Sequence, residues 1–294
     1  MRILILGGNG MIGHKMYQEI SKVYKDTWVT LRNNLSSYEY HYIYNPQKVI
    51  ECIDLTNLEN LLNQLNTYKP DIIINACGIT IRRGVEKVKS ISIILNSVLP
   101  HFLNEWVVLN NKRLIHFSTD CVFSGKRGDY FDSDLKDATD LYGLTKSMGE
   151  IIHSNCAITL RGSMIGRELE NMTELLEWFL IQSDNTIKGF SEVFYSGITT
   201  VKMAEIVLIL IKEYPQLNGL YNISSKPISK FELLKIFKEY FNTNTIIMPD
   251  STYASNKNLI SELFFTKIKM EQPTWLDLIK QLKQDCLLYK NLYY

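Results

Sequence analysis

The chain has 294 residues and a formal net charge of +1. That length admits one large domain or two ordinary ones with a real core. The near-neutral balance, with no basic run interleaved with aromatics, lacks the electrostatic footprint of a nucleic-acid binder. Five cysteines (Cys52, Cys77, Cys121, Cys156, Cys286) are odd in number and never form a Cys-x-x-Cys pair. They predict neither a disulfide framework nor a metal site and fit a reducing compartment. No apolar run has the length needed to cross a bilayer. The chain starts directly in strand pattern without a charged n-region or cleavage site, so a cytoplasmic location is expected.

In chain order, Met1-Arg-Ile-Leu-Ile-Leu reads as a first strand. Gly7-Gly-Asn-Gly-Met-Ile-Gly13 reads as a tight turn opening an amphipathic helix (Met11, Ile12, Met16, Ile20, Val23). Glycines at 7, 10 and 13 let the backbone approach a pyrophosphate, and the helix start offers it N–H groups and a positive dipole end. A dinucleotide site is therefore expected, with Gly7, Asn9, Gly10, Met11, Ile12 and Gly13 around it; the competing reading is a structural turn. Trp28–Leu31 reads as the second strand and ends in Arg32-Asn33 without an acid for a ribose 2′-hydroxyl. Arg32 then reads as a fork for a 2′-phosphate, so NADPH is the favoured donor and NADH the alternative. Val49–Ile53 reads as a third strand, 57–66 as a Leu-patterned helix and Asp71–Asn75 as a fourth strand.

Arg82 and Arg83 follow that fourth strand, either as substrate-phosphate contacts or as a solvated pair. A long helix from about Ser90 to Leu109 leads to the strand Arg113–Phe117, where His116 reads as a satisfied strand histidine. A Gly-rich loop at 124–130, a helix carrying Tyr142 and the strand Ala157–Leu160 follow. Alternating strands and helices predict an α/β, doubly wound parallel sheet with ligands at the strands' carboxyl ends. Helices near 173–182, 200–213, 229–241 and 274–289 build a less regular second half. The expected division is a dinucleotide-binding domain, 1–161 with about 195–223 returning, and a smaller substrate-binding lid, 162–194 and 224–294. Leu175, Leu176, Trp178 and Phe179 have the spacing of lid core; Phe190, Tyr195 and Ser196-Gly197 are candidates for a pocket wall.

Tyr142 and Lys146 lie four apart, hence on one face of a helix. An ammonium beside a phenol favours the phenolate, and such a phenol can give a proton to an oxygen that gains charge as a ketone accepts hydride. The spacing alone is weak, since Tyr44/Lys48 and Tyr253/Lys257 share it. Asn45-Pro46 argues against a helix at the first, and the second sits in a polar stretch with no apolar period. Only Tyr142 leads a helical pattern, through Met148, Ile151 and Ile152.

The ordered set formed by the glycine turn, Asn75-Ala76-Cys77-Gly78, Ser118-Thr-Asp-Cys-Val-Phe-Ser-Gly125, Gly128-Asp-Tyr-Phe-Asp-Ser-Asp134 and Tyr142-Gly-Leu-Thr-Lys-Ser-Met-Gly-Glu150 resembles extended short-chain dehydrogenase/reductases of the sugar-nucleotide branch. It is most like dTDP-4-dehydrorhamnose reductase and its relatives. The resemblance implies reduction of the C4 ketone of a nucleotide-linked 4-keto-6-deoxy sugar, within deoxysugar and surface-polysaccharide synthesis. Thr119, Tyr142 and Lys146 would be catalytic: Tyr142 the acid, Thr119 a hydrogen-bond donor to the same oxygen, Lys146 the holder of the nicotinamide ribose. It implies further cofactor contacts at Asp54, Leu55, Asn75, Ala76, Cys77, Gly78, Asn96 and Ser118, with Asn96 supporting a water-borne proton relay and Asp54 meeting the adenine amine. The competing role for Asp54 is a helix N-cap. Thr80, Asp120, Cys121, Arg161 and Ser163 are the implied substrate contacts, and a homodimer is the expected assembly.

Two departures bear on the substrate. Cys121 stands where these reductases carry an aromatic, and Leu160-Arg161-Gly162-Ser163-Met164 lacks their tryptophan. A different 4-ketosugar or nucleotide is thereby open. Cys121 also cannot supply the acid that 4,6-dehydratase relatives use to expel water. An epimerase with retained NAD, and a non-catalytic dinucleotide-binding subunit like the regulatory subunit of methionine adenosyltransferase, are the alternatives.

Overall fold

The computed structural model describes residues 1–293, with the side chains of Arg83 and Val85 outside the described set. The chain divides into two compact units. The first comprises residues 1–118, 140–160 and 204–220; the second comprises 119–139, 161–203 and the chain from 221 onward.

A seven-stranded sheet organises the first unit. Its strands are β1 (Ile3–Leu6), β2 (Thr27–Thr30), β3 (Val49–Ile50), β4 (Ile72–Asn75), β5 (Arg113–Ser118), β6 (Ala157–Arg161) and an edge strand, Gly219–Asn222. Their order is edge–β6–β5–β4–β1–β2–β3. Central strand β1 pairs in parallel with both β2 and β4. The chain runs from β1 outward to β3 and then crosses to β4, so the strand order reverses between β1 and β4, where such sheets bind ligands. Ile3–Leu6 and Ile72–Ile74 are buried throughout, as strands covered on both faces require.

The third strand stops earlier than its apolar run suggests. Cys52 takes a left-handed conformation (φ 55°), and the Ile53 N–H donates to the Leu31 carbonyl beyond the end of β2 (3.0 Å). Helix α1 (Met11–Val23) buries Met16 and Ile20 and leaves Val23 exposed. Helix α2 (Leu58–Tyr68) is capped by Asn57, whose side chain accepts the Asn60 N–H at 3.0 Å. Asp54 is therefore not the cap; it accepts from the N–H and hydroxyl of Thr56, at 2.9 and 2.7 Å.

The helix Lys89–Asn110 contains a π-helical turn over Ile94–Val98. Contrary to the expectation from sequence, it is long and apolar enough, by length and composition, to cross a membrane. Its Leu99, Leu103, Trp106 and Val107 instead form one core cluster with Leu4, Leu6, Ile73 and Leu114 of the sheet. The Tyr142 helix, Leu141–Met148, is shorter than its pattern through Ile151 and Ile152 predicts. A Cβ on Gly149 would overlap the Asn96 carbonyl, so the chain passes that point as glycine. Ile151 then uses both its N–H (3.3 Å) and its carbonyl (2.9 Å) on the Thr159 hydroxyl rather than on another helical turn.

The second unit is built from short pieces. Val193–Tyr195 pairs with Ile228–Ser229 and Ser255–Asn256, and Thr186–Phe190 pairs with Ile246–Asp250. Helices Leu175–Leu180, Lys230–Phe241, Glu262–Lys267 and Trp275–Leu288 pack around them. Leu176 and Phe179 are buried as expected for core.

Candidate active site

The glycine turn is held from beneath by β2. The Gly7 N–H donates to the Thr30 hydroxyl (3.1 Å), and the Gly8 N–H donates to the Thr30 carbonyl (3.0 Å). Gly7 has φ +83°, a conformation that side chains disfavour. A Cβ on Gly13 would overlap the Gly7 carbonyl, whereas one on Gly10 would meet only that carbonyl oxygen at 3.4 Å. The turn is thus closed on the protein side at Gly13 and open at Gly10. Gly10 is the N-cap of α1 and makes no side-chain capping bond, so the first-turn N–H groups at Met11 and Ile12 fit a phosphate. Asn9, Met11 and Ile12 are each partly exposed there.

Arg32 and Asp54 are both exposed, just past β2 and β3. Bonds from Thr56 hold the Asp54 carboxyl below the usual carboxylate range, and the charge of Arg32 adds to that. Leu55 beside them is half-buried. After β4, the Asn75 side-chain oxygen Oδ1 accepts the Cys77 N–H (3.2 Å), and its side-chain nitrogen Nδ2 meets Nδ1 of His116 (3.2 Å). Burial, then the charges of Lys146 and His101, push His116 well below its ordinary value, so it stays a neutral core imidazole. Cys77 is no nucleophile either, because burial raises its thiol to about 12. Ala76 and Thr80 are half-buried, Gly78 and Arg82 exposed; Arg83's side chain lies outside the described residues.

Asn96 sits in the π turn, fully buried. Its side chain accepts from the Ile79 N–H (2.9 Å) and donates to the Ile79 carbonyl (3.0 Å) and the Thr145 hydroxyl (3.1 Å). The amide is thereby committed to fixing the segment after β4 against the Tyr142 helix. That helix starts at Asp140, whose carboxylate accepts the Gly143 N–H at 2.9 Å. Tyr142 lies in its first turn, half-buried, and Lys146 lies one turn on, buried.

Lys146 Nζ donates to the Phe117 carbonyl at the end of β5 (2.6 Å). Burial lowers its pKa to about 8, opposed by the charge of Glu150 and then by Cys77. Glu150 is itself buried and accepts the Ser118 hydroxyl at 2.7 Å. Ser118, expected at the cofactor, thus directs its hydroxyl to Glu150. Glu150 was not singled out from sequence; it lies past the end of the Tyr142 helix, and the fold brings its charge to bear on Lys146.

A pH prediction follows from this arrangement. Below pH 8 the folded and unfolded chains both carry the Lys146 proton, and the folded state bears the full cost of a buried ammonium. Between about 8 and the ordinary lysine value of 10.5 the folded chain releases the proton first, so stability rises with pH across that window. Replacing Glu150 by Gln keeps an acceptor for Ser118 but removes the charge that favours the ammonium. The rise in Tm with pH should then begin at lower pH than in the wild type, and Lys146→Met should abolish it. Identical Tm–pH profiles for wild type and Glu150→Gln would contradict the coupling.

The second unit presents its own polar cluster. The Thr119 hydroxyl accepts the Cys121 N–H (3.2 Å) and donates to Asp120 (3.1 Å). Burial raises the Asp120 carboxyl, countered by Lys257, Thr119, Cys121 and Lys230. Burial and Asp120 raise the Cys121 thiol to about 12, and Lys257 and Thr119 bond to it. Burial likewise pushes the Tyr195 phenol up, with Ser163 as its hydrogen-bond partner. Arg161 is buried and donates to the Asp132 carbonyl (3.2 Å) and to Asn222 (3.1 Å), with its guanidinium over Phe123. Those bonds make it a framework group of this unit. Phe190 lies against Tyr253, 5.8 Å between ring centres, and the Ser196 hydroxyl accepts the Leu259 N–H (2.9 Å). Lys230 and Lys257 were not legible as partners of Asp120, which they follow by more than a hundred residues. Among the described residues no cluster of His, Cys, Asp and Glu could hold a metal ion.

The parallel sheet, the glycine turn at its switch point and the Tyr-x-x-x-Lys helix define the class as an extended short-chain dehydrogenase/reductase fold. The chain belongs to the family of the RmlD substrate binding domain, whose model matches residues 1–271. It is 32% identical to the dTDP-4-dehydrorhamnose reductase of Aggregatibacter actinomycetemcomitans over 99 residues, 33% of this chain and 34% of that protein. It is 25% identical to the methionine adenosyltransferase 2 subunit beta of Xenopus tropicalis, over 82% of this chain and 72% of that one. The crystal structure of dTDP-4-dehydrorhamnose reductase from Bacillus anthracis, in complex with NADP, superposes with a TM-score of 0.78. That match covers 97% of this chain and 99% of the other at 20% identity, and so speaks to the fold.

Proposed function

We propose that the chain is a reductase of the C4 ketone of a nucleotide-linked 4-keto-6-deoxy sugar, with NADPH as preferred donor and NADH as the alternative. The observation that carries this reading is the pairing of a glycine turn that is packed at Gly7, Gly8 and Gly13 and open at Gly10 with a Tyr142–Lys146 helix whose lysine is buried and pinned to Phe117. Gly7, Asn9, Gly10, Met11, Ile12 and Gly13 would hold the pyrophosphate, Arg32 the 2′-phosphate, and Asp54 and Leu55 the adenine. The segment Asn75–Gly78, with Asn96 and Ser118 behind it, would border the nicotinamide, and Lys146 would bond its ribose. When bound, the reduced nicotinamide supplies the hydride.

The chain's own contribution is the proton. Tyr142 gives its phenolic proton to the substrate oxygen, Lys146 stabilises the phenolate that remains, and Thr119 donates a hydrogen bond to that oxygen. Thr80, Asp120, Cys121, Arg161 and Ser163 are proposed to shape the sugar subsite, Arg161 by framing it. The second unit would then be the smaller substrate-binding domain. A cytoplasmic homodimer serving surface-polysaccharide synthesis completes the proposal; exposed Leu144, Met148 and Ile152 near the Tyr142 helix suit an interface between copies.

A binding-only subunit is the second reading, favoured by the similarity to methionine adenosyltransferase 2 subunit beta over most of the chain. Purified protein mixed with NADPH and a panel of nucleotide-4-ketosugars separates these readings. Loss of reduced-cofactor absorbance supports the reductase. Sugar conversion without net cofactor use supports an epimerase, and binding without conversion a regulatory subunit. Arg32→Ala is expected to raise KM for NADPH by about 10-fold or more, from loss of a charge-assisted contact, while KM for NADH changes little. Equal losses for both would remove Arg32 from the site.

A further inference from the structure

Between β2 and β3 the chain makes three single 3₁₀ turns, Leu35–Ser37, His41–Ile43 and Pro46–Lys48. Four tyrosines, Tyr38, Tyr40, Tyr42 and Tyr44, alternate through this segment. It has no α-helix or strand to hold it, yet Tyr38, Tyr40 and Tyr44 are buried and, of the four, only Tyr42 is well exposed. Two of the buried phenols end on backbone groups next to the residues assigned above to the cofactor.

The Tyr44 hydroxyl donates to the carbonyl of Gly8 at 2.8 Å, in a buried bond. The Gly8 N–H is already committed to Thr30, so both polar groups of this residue are fixed. Glycine peptides reorient at low cost because no Cβ restrains them, and a phosphate bound by backbone N–H groups depends on that orientation. The Tyr44 ring is in turn placed by Tyr17 of α1, with centroids 5.2 Å apart. The Tyr17 hydroxyl accepts the N–H of Asn45 at 3.0 Å. At the other end, the Tyr38 hydroxyl accepts the N–H of Asn33, the residue after Arg32, at 3.1 Å. Leu35 is tied to Glu51 (3.1 Å), and Cys52 to Asn34 (3.1 Å). One segment therefore braces two separate parts of the turn region: the peptide at Gly8 and the chain carrying Arg32.

We propose that Tyr44 and Tyr38 are positioning residues for the dinucleotide, Tyr44 for the pyrophosphate turn and Tyr38 for the arm that receives the adenosine 2′-phosphate. This rests on the dinucleotide reading above and divides its specificity between two hydroxyls. The pyrophosphate is common to NADPH and NADH, whereas the 2′-phosphate belongs to NADPH alone. Removing the Tyr44 hydroxyl weakens both cofactors alike, and removing the Tyr38 hydroxyl weakens only NADPH.

The test is direct titration of the full-length protein with NADPH and with NADH, for wild type, Tyr44→Phe, Tyr38→Phe and Tyr42→Phe. One lost hydrogen bond predicts a rise in Kd of about 3- to 10-fold, for both cofactors in Tyr44→Phe and for NADPH only in Tyr38→Phe. Tyr42→Phe should leave both unchanged. Tyr17→Phe, which frees Asn45, should reproduce the Tyr44→Phe pattern more weakly and serves if Tyr44→Phe does not fold. A merely structural role would lower the folded fraction and leave the Kd of the folded protein unchanged for both cofactors. The inference is overturned if Tyr38→Phe shifts both cofactors equally or neither, or if the folded Tyr44 and Tyr17 variants bind both as the wild type does. Failure of the wild type to bind either dinucleotide overturns the cofactor reading itself, a result distinct from any pattern among the variants.

Discussion

Tyr142→Phe should reduce turnover by about 10²- to 10⁴-fold, the usual contribution of a positioned general acid, and leave the NADPH Kd near wild type. The phenol is in the first turn of a helix anchored by the Asp140 cap and crossed by the Asn96–Thr145 bond, so removing one hydroxyl at a half-buried position should not disturb the frame. The variant's Tm should stay close to that of wild type. Stopped-flow single turnovers would separate chemistry from product release. A variant with wild-type turnover would remove Tyr142 as the acid, and a variant that loses NADPH binding would make it a cofactor residue instead.

The second large effect is expected at Gly13. A Cβ there overlaps the carbonyl of Gly7 and its carbon, and both partners are backbone, so neither can swing aside as a side chain would. Gly13→Ala must push α1 away from the end of β1. Overpacking of this sort costs about 1–3 kcal/mol, and the displaced helix start no longer presents its N–H groups where the turn expects a phosphate. Loss of measurable NADPH binding together with a lowered Tm is the expected result. Gly10→Ala is the informative partner: its Cβ would meet only the Gly7 oxygen at ordinary contact distance, so the fold should hold while the phosphate approach narrows. If Gly13→Ala binds NADPH normally, the glycine turn is not the pyrophosphate site.

Much of the frame was legible because it depends on local pattern. The glycines at 7, 10 and 13 between an apolar run and an amphipathic helix need no tertiary information, and neither does the alternation that builds a parallel sheet. What was not legible depended on long-range competition. The third strand ends at Ile50 because Ile53 bonds to the Leu31 carbonyl, a partner 22 residues away that no window reveals. The Tyr142 helix stops at Gly149 because Asn96, from another helix, occupies the space of a side chain. Asp54 looked like a cap by residue type, but Asn57 is nearer the first turn and takes that role.

Site chemistry followed the same division. Tyr142 and Lys146 can be paired from their spacing, yet the depressed pKa of Lys146 comes from its burial against β5. Glu150 becomes significant only once Ser118 is seen to donate to it. Ser118 and Asn96, both placed near the cofactor by resemblance, spend their side chains on the protein. Their role is accordingly to fix the segments after β4 and β5. The tyrosines of segment 35–48 offered only the Tyr44/Lys48 spacing, which Asn45-Pro46 discounts, and only the fold shows two of their hydroxyls on the backbone of the turn region.

The most direct test of the account is the fate of the transferred hydrogen. With NADPH deuterated at the transferred position of the nicotinamide and a nucleotide-4-keto-6-deoxyhexose as substrate, product NMR should place deuterium at C4 of the sugar, with one cofactor oxidised per sugar reduced. Product formed without deuterium at C4, or sugar converted while the cofactor stays reduced, would contradict a C4 ketoreductase.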